Sequence, residues 1–252
     1  MLTVSNAIAY VMMLIVNGLA GSTSLIGGKV TSEISDMNPT LVTPAGFTFA
    51  IWGIIYLLLA IFIAYQLIVR PGLSAPHGRI GWLFVLSSAL NILWLFAWQY
   101  EALVISVVIM LFLLGTLIAI YLRLGIGTER VDAVERLAVH LPFSVYLGWI
   151  TVATVANISA TLVSVDWDGF GIGPEIWAIV VLLLILAITV VMAFRRKDVA
   201  YGAVIIWALA GIAVNQGSNP TMVAAAVIVA VVIVAAFAIS MPLVGRRMTG
   251  RT

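Results

Sequence analysis

The residues of this chain best equipped for chemistry are uncharged: tryptophans, tyrosines and side-chain amides set at helical spacing. Trp52 and Tyr56 are four apart, Asn91 and Trp94 three apart, and Tyr146 and Trp149 three apart. Each pair shares one face if its segment is helical. Thr154 and Asn157, again three apart, continue the segment that carries Trp149. An indole or phenol ring offers a flat apolar surface with one hydrogen-bonding edge. An amide offers a donor and an acceptor that need partners wherever water is excluded. Together these groups suit a pocket for a mostly apolar molecule with a few polar points of attachment. Taken singly, each amide, including Asn17, Asn215 and Gln216, is accounted for by an interhelical hydrogen bond worth about a kcal/mol or less. Acid–base and metal chemistry are poorly provided for. No Asp, Glu, Lys, Arg or His lies near the middle of an apolar segment, there is no cysteine, and His77 and His140 have no third ligand beside them.

The elements that carry these residues are set by composition. Of 252 residues, 63% are apolar and 9% charged, and the mean hydropathy is +1.21. A soluble domain carries roughly a quarter charged residues. Soluble enzymes, disordered chains and nucleic-acid binders are thereby excluded. The fold expected is all-α, a polytopic transmembrane bundle in the lipid bilayer. A bilayer core of about 30 Å needs roughly 20 apolar residues in a helix. Eight stretches qualify: about Ala7–Ile26, Gly46–Val69, Ile80–Trp98, Ala102–Leu124, Leu137–Val163, Glu175–Phe194, Ala200–Val214 (the shortest) and Thr221–Val244. With eight spans, Arg70, Arg79, Arg123, Arg130, Arg136, Arg195, Arg196, Lys197 and the tail arginines 246, 247 and 251 fall on one side, and only Lys29 on the other. Basic residues are retained in the cytoplasm during insertion. The expectation is a plasma-membrane protein with both termini cytoplasmic.

Tryptophan usually gathers at membrane interfaces. That explains Trp98, Trp167, Trp177 and Trp82, but fits Trp52, Trp94 and Trp149 less well, since each has apolar sequence on both sides. Thr43-Pro44-Ala45-Gly46 opens the second segment, where proline suits a first helical turn. The connection before it, Gly27 to Val42, is long and rich in Gly, Ser, Thr and Asn, and is expected to fold over the outer mouth as a lid. Small residues at Ser87–Ala89, Ala224–Ala226, Ala230 and Ala235–Ala236 permit close helix approach, either within one chain or to a second copy in a homodimer.

Three blocks of this sequence resemble the TspO/MBR family, the tryptophan-rich sensory proteins. Pro44, Trp52 and Tyr56 keep the spacing of its second helix. Ala89-Leu90-Asn91-Ile92-Leu93-Trp94 matches its third. Tyr146-Leu147-Gly148-Trp149, Thr154 and Asn157 match its fifth. The order and the helices agree, and the likeness covers roughly residues 7 to 163. Departures are Thr43 for the first proline of the turn, Gly46 where many members have Trp, and no cholesterol-recognition pattern closing the fifth helix. Members normally stop after five helices, so the resemblance divides the chain into a five-helix ligand-binding unit, 1–164, and a three-helix membrane extension, 165–252.

The resemblance implies a ligand site at Trp52, Tyr56, Asn91, Trp94, Tyr146, Trp149, Thr154 and Asn157, with Pro44 at its turn. The implied ligand is flat and mostly apolar, such as a tetrapyrrole (porphyrin or haem), and the output is sensing or transport. A small-solute transporter without charged coupling residues is the alternative, and a tetrapyrrole-degrading membrane enzyme a third reading. On this division the last three helices are accessory, unless Asn215 and Gln216 reach the mouth of the pocket.

Overall fold

The structure is a computed structural model that describes residues 1–68 and 76–241. Arg70, the side chain of His77, the tail arginines and the expected ends of the second and eighth segments lie outside the described residues. Among those described, every regular element is helical.

Helix α1 spans Leu2–Ser22. The short α2, Thr31–Met37, lies in the long first connection. A 3-10 turn, Gly46–Ala50, leads into α3, Ile51–Ile68. The short α4, Pro76–Ile80, precedes α5, Leu83–Gln99. Helix α6 is Leu103–Arg123. One turn, α7, Ala133–Glu135, runs through a π turn, Arg136–His140, into α8, Leu141–Ser164. Helices α9, Pro174–Arg195, α10, Val199–Asn215, and α11, Pro220–Ser240, complete the bundle. Helices α9 and α11 each have Pro in the first turn, where its missing N–H costs no hydrogen bond.

Among the described residues, six helices are long and apolar enough to cross a membrane: Leu2–Ser22, Gly46–Ile68, Leu103–Arg123, Ala133–Ser164, Pro174–Arg195 and Pro220–Ser240. The expected third and seventh segments are the shorter apolar helices α5 and α10, at 17 residues each. At 1.5 Å per residue each is about 25 Å long, a little under the hydrocarbon thickness.

Helix α8 is the hub. It packs on α3, α6 and α10, while α5 packs on α1 and α6, and α9 and α10 both pack on α11. Its buried residues run along its whole length, from Pro142 to Thr161. The two ends of the bundle differ in charge. At one end, Arg79 pairs with Glu129, and the Arg196 guanidinium donates to the Ile126 carbonyl at 3.3 Å and lies over the Tyr121 ring, 5.7 Å from its centroid. The connections after α3, α6 and α9 thus meet. At the other end, Lys29 pairs with Glu101, and Asn219 donates to Glu175 at 2.7 Å.

Candidate functional site

The site lies where α3, α5 and α8 converge beneath the first connection. Trp52 on α3 is at its centre. Its ring stacks on Tyr56, with centroids 5.7 Å apart, and on Trp94 of α5, at 6.1 Å. Trp94 stacks in turn on Trp98, also at 6.1 Å. Tyr146 and Trp149 of α8 meet Trp52 edge to face, at 6.1 and 6.2 Å. Phe49, in the 3-10 turn, meets Trp149 the same way at 5.8 Å. The helical spacings set these faces: positions four apart on α3 and three apart on α5 and α8 place both members of each pair on one side.

Amides fix this aromatic cluster from behind. Asn17 of α1 donates to the Asn91 Oδ1 at 2.7 Å. Asn91 donates to the Tyr146 hydroxyl at 3.1 Å. The Trp94 indole N–H donates to the Asn157 Oδ1 at 2.9 Å, and Asn157 Nδ2 donates to Ser106 Oγ of α6 at 2.8 Å. These bonds join five helices, α1, α5, α6 and α8 directly and α3 through its ring contacts. Asn91 and Asn157 are both buried and both already engaged. Their first duty is to hold Tyr146 and Trp94 in place. Thr154 bonds the Ile150 carbonyl of its own helix at 2.6 Å, as a hydroxyl in a helix commonly does.

A cavity of about 30 Å³ remains, lined by Trp52, Trp94, Trp98, Trp149 and Asn157, with Ala153 and Ala156 among the residues that leave it room. Pro44 and Phe49 border it on one side, and Thr31 and Ser35 of α2 on another. Of the residues expected to bind a ligand, Trp52, Trp94, Trp149, Asn157 and Pro44 reach this space. Tyr56 and Tyr146 stand one layer back, against Trp52, Asn91 lies behind Tyr146, and Thr154 bonds its own helix. The cavity has room for a water or two by the usual measure of about 10–15 Å³ each. Pockets for larger ligands run to about 300–1,000 Å³. A ring system enters only if aromatic side chains swing aside.

The first connection does form a roof. Ile34 and Ser35 of α2 are buried, and the Trp98 indole N–H donates to the Thr31 carbonyl at 3.2 Å. The roof is pinned at its start by Gln99, whose Nε2 donates to the Ala20 and Lys29 carbonyls at 3.1 and 3.2 Å. Gly27 has φ +71°, and a Cβ there would lie 2.2 Å from the Gln99 carbonyl oxygen, so only glycine fits. Trp98 is therefore a wall of the cavity, 5% exposed, and not the interfacial anchor its place near a helix end suggested. Trp167 and Trp177 do cluster in the α8–α9 connection, at 5.3 Å, and Trp82 is exposed.

Sequence reasoning overlooked one feature and left a second open. The Trp149 indole N–H is buried and has no hydrogen-bond partner among the described residues, and neither has the Thr48 hydroxyl. Buried polar groups rarely go unpaired, so both stand out, the first on a residue that lines the cavity and the second in the 3-10 turn that leads into α3. The second feature is α10. The Ala45 N–H donates to the Gly211 carbonyl at 3.0 Å, and the Trp207 indole donates to the Thr48 carbonyl at 3.0 Å. Asn215 and Gln216 donate to the Thr43 and Thr40 carbonyls at 3.0 and 3.3 Å. The turn holding Pro44 is seated on α10, so the C-terminal part of the chain reaches the site's border through that helix. Asn215 and Gln216 were the only hint of this in the sequence.

The fold and site define a polytopic helical membrane protein with a roofed, tryptophan-lined cavity. The family described as TSPO-like protein has a model that matches residues 3–239, nearly the whole chain including α9–α11. This chain belongs to that family. No curated protein and no solved structure matches it.

Proposed function

We propose that this protein is a membrane binding protein, with sensing or transport as its output, for a flat and mostly apolar ligand such as a porphyrin or haem. The observation that carries this reading is the convergence of Trp52, Trp94, Trp98 and Trp149 on one cavity under α2. Four indole faces supply stacking surface, and the unpaired Trp149 N–H supplies a donor for a polar substituent. Binding requires the cavity to widen. Trp52 is the side chain suited to move, because it is held by ring contacts, whereas Trp94 and Trp98 are also pinned through their indole nitrogens. The test is a fluorescence-quenching titration of the purified protein with protoporphyrin IX. Trp94→Leu and Trp149→Leu are expected to weaken binding by about tenfold, since an aromatic contact is worth roughly 0.5–1.5 kcal/mol. Equal affinity in all three proteins counts against the site.

The small closed cavity favours one second reading, a facilitator for a small solute. Solute flux into proteoliposomes with no porphyrin binding would select it.

In the membrane we place all eight apolar helices across a plasma membrane, with both termini cytoplasmic. The basic connections that meet through Arg79, Glu129 and Arg196 support this, because basic loops stay inside. The chain has no native cysteine. A cysteine at Asp36 is expected to react with an impermeant maleimide applied outside intact cells, and one at Thr128 is not. The reverse pattern would invert the orientation.

A further inference from the structure

We propose that α10 is the seat of the site's gate: the segment from Thr40 to Thr48 closes the cavity by resting on α10, and lifts off it to admit ligand. The proposal rests on the ligand-binding reading above but concerns how the site opens.

Four hydrogen bonds join this segment to α10 and its C-cap, and they differ in kind. Towards Thr48 the seat is tight. A Cβ on Gly211 would lie 2.1 Å from Thr48 Oγ1 and 3.1 Å from Pro44 Cβ, so the Thr48 and Pro44 side chains rest directly on the glycine backbone of α10. The Ala45 N–H to Gly211 carbonyl bond and the Trp207 to Thr48 carbonyl bond lie here, and Phe47 packs edge to face on Trp207 at 5.4 Å. Towards Thr40 the hold is looser. Asn215 and Gln216 sit at the C-terminal end of α10, Asn215 being its last residue, and each reaches a backbone carbonyl through a side-chain amide. Such bonds at a partly exposed helix end compete with water. The first pair of contacts forms a pivot and the second a latch.

The moving segment is coupled to the cavity at both ends. Pro44 and Phe49 border the cavity directly. Preceding it in the chain, Thr31 and Ser35 of α2 form the roof. Releasing Asn215 and Gln216 frees the chain on the roof side while Gly211 and Trp207 keep the α3 side in place. The closed arrangement also leaves the N–H of the cavity-lining Trp149 unpaired. It gains the chance of a partner when the cavity opens. This is the physical sense in which the closed state is poised and not maximally satisfied.

Opening is read without any ligand through Ser35, which lines the cavity and is 6% exposed. In detergent-solubilised full-length protein, Ser35→Cys is expected to react slowly with a maleimide, and Asp36→Cys, at an exposed position, quickly. Asn215→Leu with Gln216→Leu is expected to speed labelling at position 35 by about tenfold and to leave labelling at 36 unchanged. Asn215→Asp with Gln216→Glu, which keeps size and polarity but removes both donors, is expected to act in the same direction. The association rate for protoporphyrin IX should rise with the labelling rate. Unchanged labelling at position 35 in both double variants would overturn the gate. Faster labelling at 35 and 36 together would also overturn it, because that pattern means general loosening. Faster labelling at 35 alone, in a protein that binds no porphyrin, supports the gate and removes the ligand assignment.

Discussion

From α1 to α8, helices are joined by side chains that hydrogen-bond across the interface: Asn6 to Gln66, Asn17 to Asn91, Asn91 to Tyr146, Trp94 to Asn157 and Asn157 to Ser106. Among α9, α10 and α11 the buried residues are mostly Ala, Val, Ile and Leu, such as Leu182, Ile185, Val229 and Ile233. The Thr189 and Ser240 hydroxyls bond their own helix. A side-chain bond between these helices, Asn219 to Glu175, lies at the end of the bundle that carries Lys29 and Glu101. In lipid, apolar packing gains no hydrophobic driving force, so association rests on close contact and on polar pairs. Close contact tolerates many sequences, whereas a polar network specifies which side chain stands where. The first region carries that specificity and the second mainly supplies surface. They meet along α8 and α10, where the Tyr201 hydroxyl donates to Thr151 at 3.2 Å and Tyr121 of α6 donates to Asp198 at 2.8 Å, and at the Pro44 turn, where Gly211, Trp207, Asn215 and Gln216 add position-specific contacts.

Two glycines of α10 expose this difference most strongly. Gly211→Ala forces a methyl group against Thr48 and Pro44, which belong to a backbone turn with little freedom. Overpacking of this kind costs typically about 1–3 kcal/mol. Thermal unfolding in detergent is expected to fall accordingly, with altered porphyrin affinity. Gly202→Ala places a methyl 2.2 Å from Phe237 Cε2, the far part of a ring that can turn. Its effect is expected to be smaller and without change in affinity. Equal effects at the two positions would erase the distinction between seat and filler.

Asn157→Leu comes next. It leaves the Trp94 indole without its acceptor and removes the Asn157 bond to Ser106. Interhelical polar bonds in membranes average about 0.6 kcal/mol, with a maximum near 1.7. A modest loss of thermal stability is expected, together with weaker porphyrin binding as Trp94 loses its orientation. Thr189→Val in the second region, where the hydroxyl bonds the Ile185 carbonyl of its own helix, is expected to change neither. A destabilised Thr189→Val beside an unaffected Asn157→Leu would reverse the comparison.

Much of this arrangement was legible in the sequence because helical spacing is a local property. The pairs Trp52 with Tyr56, Asn91 with Trp94 and Tyr146 with Trp149 each share a face as read, and the apolar segments become helices within a few residues of the expected bounds. What periodicity cannot supply is partnership between segments. Trp94 and Asn157 are 63 positions apart, and nothing in either segment names the other. Trp98 was misread for a related reason. It stands beside polar Gln99 at a helix end, as interfacial tryptophans do, and is buried by α2, whose fold over the mouth depends on Gly27 and Gln99 and not on any apolar period. The seating of Pro44 on α10 joins residues more than 150 positions apart, mostly through backbone carbonyls, which leave no trace in residue types.

The smallest effect is expected at the charged end. The Arg79 guanidinium, bonded to Glu129, holds its carboxyl below the usual carboxylate range. A depressed folded-state pKa contributes stability above the ordinary carboxylate value and loses it as pH falls through the folded value. Both partners are solvent-accessible, and exposed pairs contribute little. Glu129→Gln is expected to leave thermal stability at pH 7 nearly unchanged and to remove a slight decline in stability at acid pH. A large loss at pH 7 would mean that the connections after α3 and α6 are held by this pair and not by helix packing.

The site itself is tested most directly by an experimental structure of the full-length protein with protoporphyrin IX bound. The expected result is a macrocycle beneath α2 against Trp94 and Trp149, with Trp52 displaced and the cavity enlarged well beyond its closed volume of about 30 Å³. A porphyrin seated on the outer, lipid-facing surface, with the four tryptophans still packed on one another, would contradict it.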